Sequence, residues 1–175
     1  MSLSDIAIRL DAPTPADAAA LDAMALASWH DTFAQFYHPD DLAAFLDQAF
    51  GEQGALRRGL HDPAITWQVA RAGDEIVGYA KLTPPWLDQA GPDDAQLSQL
   101  YVATDWHGRG VAPALMEWAL ATARARRAPA LLLTVFEKNA RAIRFYDRYG
   151  FDHVGDYAFP VGRQIDRDLI MRLAL

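Results

Sequence analysis

The stretch 101–120, YVATDWHGRGVAPALMEWAL, constrains the chain more than any other. It begins as a strand, crosses a polar turn holding Gly108 and Gly110, and runs directly into a helix-like apolar pattern. A strand that feeds a helix through a two-glycine turn belongs to an α/β architecture. The first N–H groups of such a helix lack intrahelical partners, and the glycines leave the backbone bare in front of them. The helix dipole adds partial positive charge, so residues 108–112 can wrap a pyrophosphate. A Gly-x-Gly pair on its own is equally an ordinary tight turn.

Two familiar phosphate patterns are excluded. No G-x-x-x-x-G-K-[ST] run exists, and the dinucleotide fingerprint would need glycine where the chain has Pro113. Neither a nucleoside triphosphate nor a nicotinamide site is supported.

Elements alternate along the rest of the chain. SDIAIRL (4–10) reads as a first strand, and residues 13–37 as a helix with Thr14 as N-cap and Pro15 at its first position. HPDDLAAFLDQAF starts a second helix, and EQGALRRGL a short third. TWQVARAGDEIVGYAKL is a hairpin, QLSQLYV a strand, and 110–126 the helix after the glycine turn. PALLLTVF is a buried strand, NARAIRFYDRYG a helix between Asn139 and Gly150, and FDHVGDYAF and RQIDRDLIMRL are closing strands. With 175 residues and no linker or repeat, the expectation is one α/β domain, 1–175, with a mixed sheet.

The helix after the buried strand carries a second signal. Asn139 and Tyr146 lie seven residues apart, two helical turns, with the small Ala142 on the same face between them. A tyrosine is a hydrogen-bond donor at pH 7, able to protonate a departing anion. Taken singly, Tyr146 also reads as a core tyrosine and Asn139 as a plain N-cap.

Together, LYVATDWHGRGVAPALMEWAL and VFEKNARAIRFYDRYGF closely resemble the GNAT superfamily of acetyl-CoA-dependent N-acetyltransferases. The first is similar to that family's pyrophosphate motif, [QR]-x-x-G-x-[GA], with His107, Gly110 and Ala112 at its defining positions. His107 replaces the usual Gln or Arg, and Pro113 removes one N–H from the first helical turn. The second is similar to the helix bearing the pantetheine-contacting Asn and the tyrosine acid. The resemblance implies a single domain whose mixed, mostly antiparallel, twisted sheet splays at the cofactor site and is flanked by helices. It further implies acetyl-CoA as co-substrate, bound by His107, Gly108, Arg109, Gly110, Val111, Ala112, Asn139, Ala142 and Tyr146. The pantetheine arm would lie along the backbone of Leu100, Tyr101 and Val102. An amine attacks the thioester directly in a ternary complex, and Tyr146 protonates the thiolate.

The base is open at this level. The central strand offers Gln96 and Ser98, which are not bases at neutral pH, so Glu137 comes first and Asp94 second, with a water relay as the alternative. Aromatic residues suited to boxing an amine are Trp29, Tyr37 and Trp86, with His30, Phe33 and Asp88 nearby in sequence. Trp29 and Phe33, four apart, also read as one helix's core face. TFAQFYHPDDLAAFL is loosely similar to the polyamine-acetylating branch. The favoured acceptor is a small-molecule primary amine. The alternatives are a protein N-terminus or lysine, or a non-catalytic acyl-CoA-binding module of the same fold.

Bulk properties narrow the class. Net charge is -7, from 16 Lys+Arg against 23 Asp+Glu, which argues against nucleic acid as a partner. No window reaches the roughly 18 apolar residues of a membrane span, and the start of the chain lacks a signal-peptide pattern. With 0 cysteines, thiolate chemistry is excluded, and the 5 histidines show no ligand spacing, so no metal is expected. A cytoplasmic location follows as the simplest expectation, and a homodimer is compatible with the resemblance.

Overall fold

The computed structural model describes residues 7–175. Strand β1 is Ile8–Asp11, which overlaps the expected strand and runs one residue past its end, while positions 4–6 of the expectation fall outside the described residues. Thr14 caps a 3-10 turn, Pro15–Asp17, through a reciprocal pair with Asp17, and the chain continues into α1, Ala18–Phe33. A second 3-10 turn, Ala34–Phe36, breaks the expected long helix before Tyr37. Then come α2 (Pro39–Ala49), with His38 as its cap, and the short α3 (Ala55–Gly59).

The hairpin β2 (Thr66–Ala72) and β3 (Glu75–Thr83) leads to β4 (Ala95–Val102), α4 (Val111–Ala125) and β5 (Ala130–Phe136). The chain closes with α5 (Ala140–Arg148), β6 (Asp152–Val161) and β7 (Gln164–Ala174). One seven-stranded sheet runs in the order β1-β2-β3-β4-β5-β7-β6, antiparallel throughout except for β4 beside β5. Parallel neighbours need a crossover, and α4 supplies it.

Strand alternation divides the core between the two faces of the sheet. Val77, Leu131, Leu133 and Val135 point toward α4 and α5, meeting Val111, Leu115, Met116, Ala119 and Tyr146. Trp67, Val69, Tyr79 and Phe136 point the other way, toward Leu21, Trp29 and Phe33 of α1, Leu42 of α2 and Leu56 of α3.

The sheet is not continuous at its centre. β4 and β5 pair only at Ala95–Leu131 and Gln96–Leu132. Just beyond, the register of β4 against β3 slips between Leu97 and Gln99, so Ser98 is the extra residue of a bulge, its Oγ 2.6 Å from that of Thr83. A bulge bends its strand, and here it turns β4 from β5 while β5 stays in full register with β7 from Ala130 to Phe136. The centre of the sheet therefore opens.

Close approach of α4 to β3 fixes where that opening meets the helix. A Cβ at Gly78 would lie 2.8 Å from Val111 Cγ1, 3.0 Å from the Tyr101 carbonyl oxygen and 3.2 Å from Leu115 Cδ1. Gly78→Ala should therefore destabilise the fold by about 2 kcal/mol through overpacking, measured as a lower urea midpoint at unchanged m-value.

Candidate active site

The gap between β4 and β5 is the floor of a cleft of about 500 Å³ that passes from the α4/α5 face of the sheet to the α1/α2 face. Residues 97–102 of β4 line it on one side, and Thr134, Val135 and Phe136 of β5 on the other. Beyond Gln96 no β5 partner takes the outward backbone groups of β4, so that edge is free to pair with an extended ligand.

On the α4/α5 face the edge ends at the glycine turn. Gly108 (φ 73°) and Gly110 (φ 82°) both sit in the left-handed region, and Gly110 is the N-cap of α4. No atom lies within 4 Å of where a Cβ would be at either position, so the turn presents open backbone. Val111 is only 1% exposed and offers a ligand its backbone alone, while Ala112 lines the cleft. The Arg109 guanidinium lies over the Trp106 ring, 5.5 Å from its centroid, with its charge still available at the surface.

His107 anchors this turn. Its Nε2 lies 2.9 Å from the Val102 carbonyl oxygen and so must donate, leaving Nδ1 to accept from Arg141 Nη1 at 2.6 Å. Burial, reinforced by the Arg141 charge, holds its pKa below the ordinary imidazole value, which agrees with that neutral tautomer. His107 thus ties the end of β4 to the start of α5.

Helix α5 forms the cleft's outer wall. Asn139 caps it, its side-chain oxygen accepting from Ala142 N–H at 3.2 Å, so its amide NH₂ remains free to donate. Tyr146 is 8% exposed, and burial raises its pKa above the usual phenol value, keeping it a neutral donor. Arg141, Arg144 and Arg148, spaced along one side of α5, also line the cleft. Among the described residues none of the three forms an ion pair with a carboxylate, although the chain is acidic overall. Uncompensated cations beside an open helix N-terminus suit a polyanion.

The α1/α2 face has the opposite character. Trp29 packs on Phe33 at 4.8 Å, Phe45 at 4.5 Å and, in a stacked arrangement, Tyr37 at 5.5 Å. These rings and Phe159 wall the end of the cleft at which Asp168 of β7 sits. Asp168 is 8% exposed, in register with Phe136, and its pKa is raised to about 6, first by desolvation and then by neighbouring Asp166. The Tyr37 hydroxyl donates to Asp166 Oδ2.

The cleft brings together Leu100, Tyr101, Val102, His107, Ala112, Asn139, Ala142 and Tyr146, along with Trp29 and Tyr37. Gly108, Arg109, Gly110 and Val111 form the turn between two lining residues. Three expected residues lie elsewhere. Trp86 is 48% exposed, set edge-on against Tyr157 at 5.1 Å, and its backbone N–H donates to Gln96. Glu137 does not line the cleft, and its Oε2 is 3.2 Å from Arg167 Nη1. Asp94 closes its own turn by accepting from Gly91 N–H at 2.8 Å. His30 is exposed.

Asp168 and the α5 arginines are what reading the sequence missed. The signal was present: in QIDRDLI, Asp166, Asp168 and Ile170 alternate on one strand face, and all three are buried. Two acids sharing a face with a core isoleucine mark a strand that borders a polar cavity.

Residues 24–151 match the Acetyltransferase (GNAT) family. The chain is 37% identical over 134 residues to an uncharacterized N-acetyltransferase of Mycobacterium tuberculosis, covering 76% of this chain and 81% of that protein. It is 31% identical over 117 residues to the L-amino acid N-acetyltransferase AaaT of Escherichia coli, covering 63% of this chain and 70% of that one. The fold superposes on the PaiA N-acetyltransferase of Thermoplasma acidophilum, solved in complex with coenzyme A. The TM-score is 0.77 at 18% identity, over 97% of this chain and 100% of that chain. The splayed sheet, the glycine turn and the family match agree, and the chain belongs to the GNAT family of acetyltransferases.

Proposed function

We propose that this protein transfers the acetyl group of acetyl-CoA to a small-molecule primary amine by direct attack in a ternary complex. The observation that carries the reading is the free edge of β4, which joins a cationic, phosphate-suited corner to an aromatic, acidic end. Acetyl-CoA has the matching parts: a pyrophosphate for the backbone of residues 108–112, and an amide-bearing arm able to pair with residues 100–102 as a strand would. The α5 arginines and the free amide of Asn139 complete the cofactor side.

The amine then enters from the α1/α2 face, where Trp29, Tyr37, Phe45 and Phe159 supply cation–π surface. Asp168 takes the ammonium proton. Tyr146 returns one to the coenzyme A thiolate, and a β4 N–H polarises the thioester carbonyl. Glu137, paired with Arg167, is the weaker choice for base. The cover of α1 and α2 over the acceptor end favours a small amine over a peptide, and the L-amino acid acceptor of the Escherichia coli relative points the same way.

Calorimetry tests the cofactor site. Gly110→Leu should weaken acetyl-CoA binding at least tenfold. Gly73→Leu imposes similar left-handed strain (φ 60°) in the β2–β3 turn and should leave binding unchanged. Equal loss in both variants would assign the effect to strain rather than to phosphate contact.

An acetylation assay over a panel of primary amines and peptides tests the transfer itself. With Asp168 titrating near 6, only its deprotonated form accepts a proton, so kcat/KM should climb through pH 6 and level off above it. Asp168→Asn should remove that acid limb, and Tyr146→Phe should lower kcat by about 100-fold. Turnover at background for every amine would remove the enzymatic reading, and preference for peptides would replace the small-molecule one.

A further inference from the structure

Two acids on one face of β7, both buried, are one more than a proton acceptor requires. Asp166 is 6% exposed, and both of its oxygens are occupied as acceptors: Oδ1 from Gln164 Nε2 at 2.6 Å, and Oδ2 from the Tyr37 hydroxyl. Two donors, one to each oxygen, fix the orientation of that carboxylate. Tyr37 can only donate, because burial and the Asp166 carboxylate both push its phenol above the usual range. The negative charge is therefore pinned in place, two residues from Asp168 and on the same side of the strand.

We propose that Asp166 is the positioning residue of the acceptor end: held by Tyr37 and Gln164, it fixes a second negative charge beside Asp168 and so sets where Asp168 takes up a proton. This rests on Asp168 as the base. Groups facing Asp168 from the other elements are consistent with that role. The Thr134 hydroxyl of β5 acts in the lowering direction, against the effect of Asp166. Tyr101 of β4 and Tyr37 feel its charge, and both phenols are held neutral. Tyr157 of β6 is its register partner. Across the cleft, Tyr146, Arg144 and Arg148 belong to α5. Next to it in the chain, Arg167 pairs with Glu137 and Asp156.

The same hydrogen bond has a mechanical side. Tyr37 lies between the 3-10 turn after α1 and the cap of α2, so its bond to Asp166 docks that corner on β7. A second tie lies close by: Asp41 of α2 accepts from Arg163 Nε at 3.0 Å and Nη2 at 3.2 Å. Closure over the acceptor and the proton affinity of Asp168 are thus linked through one phenol.

The test is the titration of the Asp168 carboxyl carbon, followed by ¹³C NMR in the full-length, ligand-free protein. Asp166→Asn removes a charge and should lower the titration midpoint by about one pH unit. Tyr37→Phe releases one hold on the Asp166 carboxylate while both acids remain, so the midpoint should fall in the same direction but by less. The acid limb of kcat/KM should move the same way in each variant. A role in folding alone would leave that midpoint unmoved in variants that stay folded. An unchanged midpoint in Asp166→Asn, or a rise in Tyr37→Phe, would overturn the proposal. Midpoints that move as expected in a protein that acetylates no amine would uphold the charge pair and refute the transferase reading instead.

Discussion

Everything in this site depends on how briefly β4 pairs with β5. Two residue pairs, Ala95–Leu131 and Gln96–Leu132, are enough to hold the two halves of the sheet together. The bulge at Ser98 then ends the contact. Had pairing run on to Val102, the sheet would be closed and its central edge consumed. The opening is tolerated because each half is secured elsewhere: β4 to β3 along its length, β5 to β7 over seven residues, and α4 against both through Leu115 and Met116. An unpaired strand edge inside a protein is normally a cost. Here it has the form of a vacant strand position, suited in shape to an extended amide-bearing ligand.

Charge is sorted along the same cleft. Arg141, Arg144 and Arg148 stand on the side of the helix N-terminus, whereas Asp166 and Asp168 stand on the far face of the sheet. This sorting is a consequence of topology. α5 follows β5 on one face, and the alternation of β7 delivers its acids to the other. A polyanionic cofactor and a cationic acceptor would then approach from opposite sides and meet where the sheet parts. Net charge says nothing of this, since a chain at -7 keeps three arginines in one place with no carboxylate partner among the described residues.

The fold was largely legible because its signals are local. Gly110 and Pro113 mark a helix start, Asn139 and Gly150 bracket α5, and the hairpin reads from its alternation and turn. The residues of the proposed cofactor side were easy to group for the same reason, since they come from two short contiguous segments that border one cleft. The acceptor end was not. Trp29, Tyr37, Phe159 and Asp168 come from elements far apart in the chain, and their meeting depends on strand order, which local pattern does not encode. Trp86 shows the converse. Its Pro-rich loop suggested a place in the pocket, yet its contacts with Gln96 and Tyr157 hold it outside the cleft lining.

The two proton-handling groups of the proposed reaction show why the environment matters more than residue type. Tyr146 is buried on the α4/α5 face, where desolvation disfavours phenolate, so it stays the species able to give a proton. Asp168 is buried too, and desolvation again favours its neutral form, but a carboxyl starts so much lower that the shift brings it to about 6 and no further. The same physical effect thus produces an acid from one group and a base near neutral pH from the other. What desolvation begins at Asp168 is continued by Asp166, whose charge is held in place by a phenol that would itself be unable to ionise there. Glu137 has no comparable place: it is exposed, paired with Arg167 and off the cleft, out of reach of an acceptor bound there.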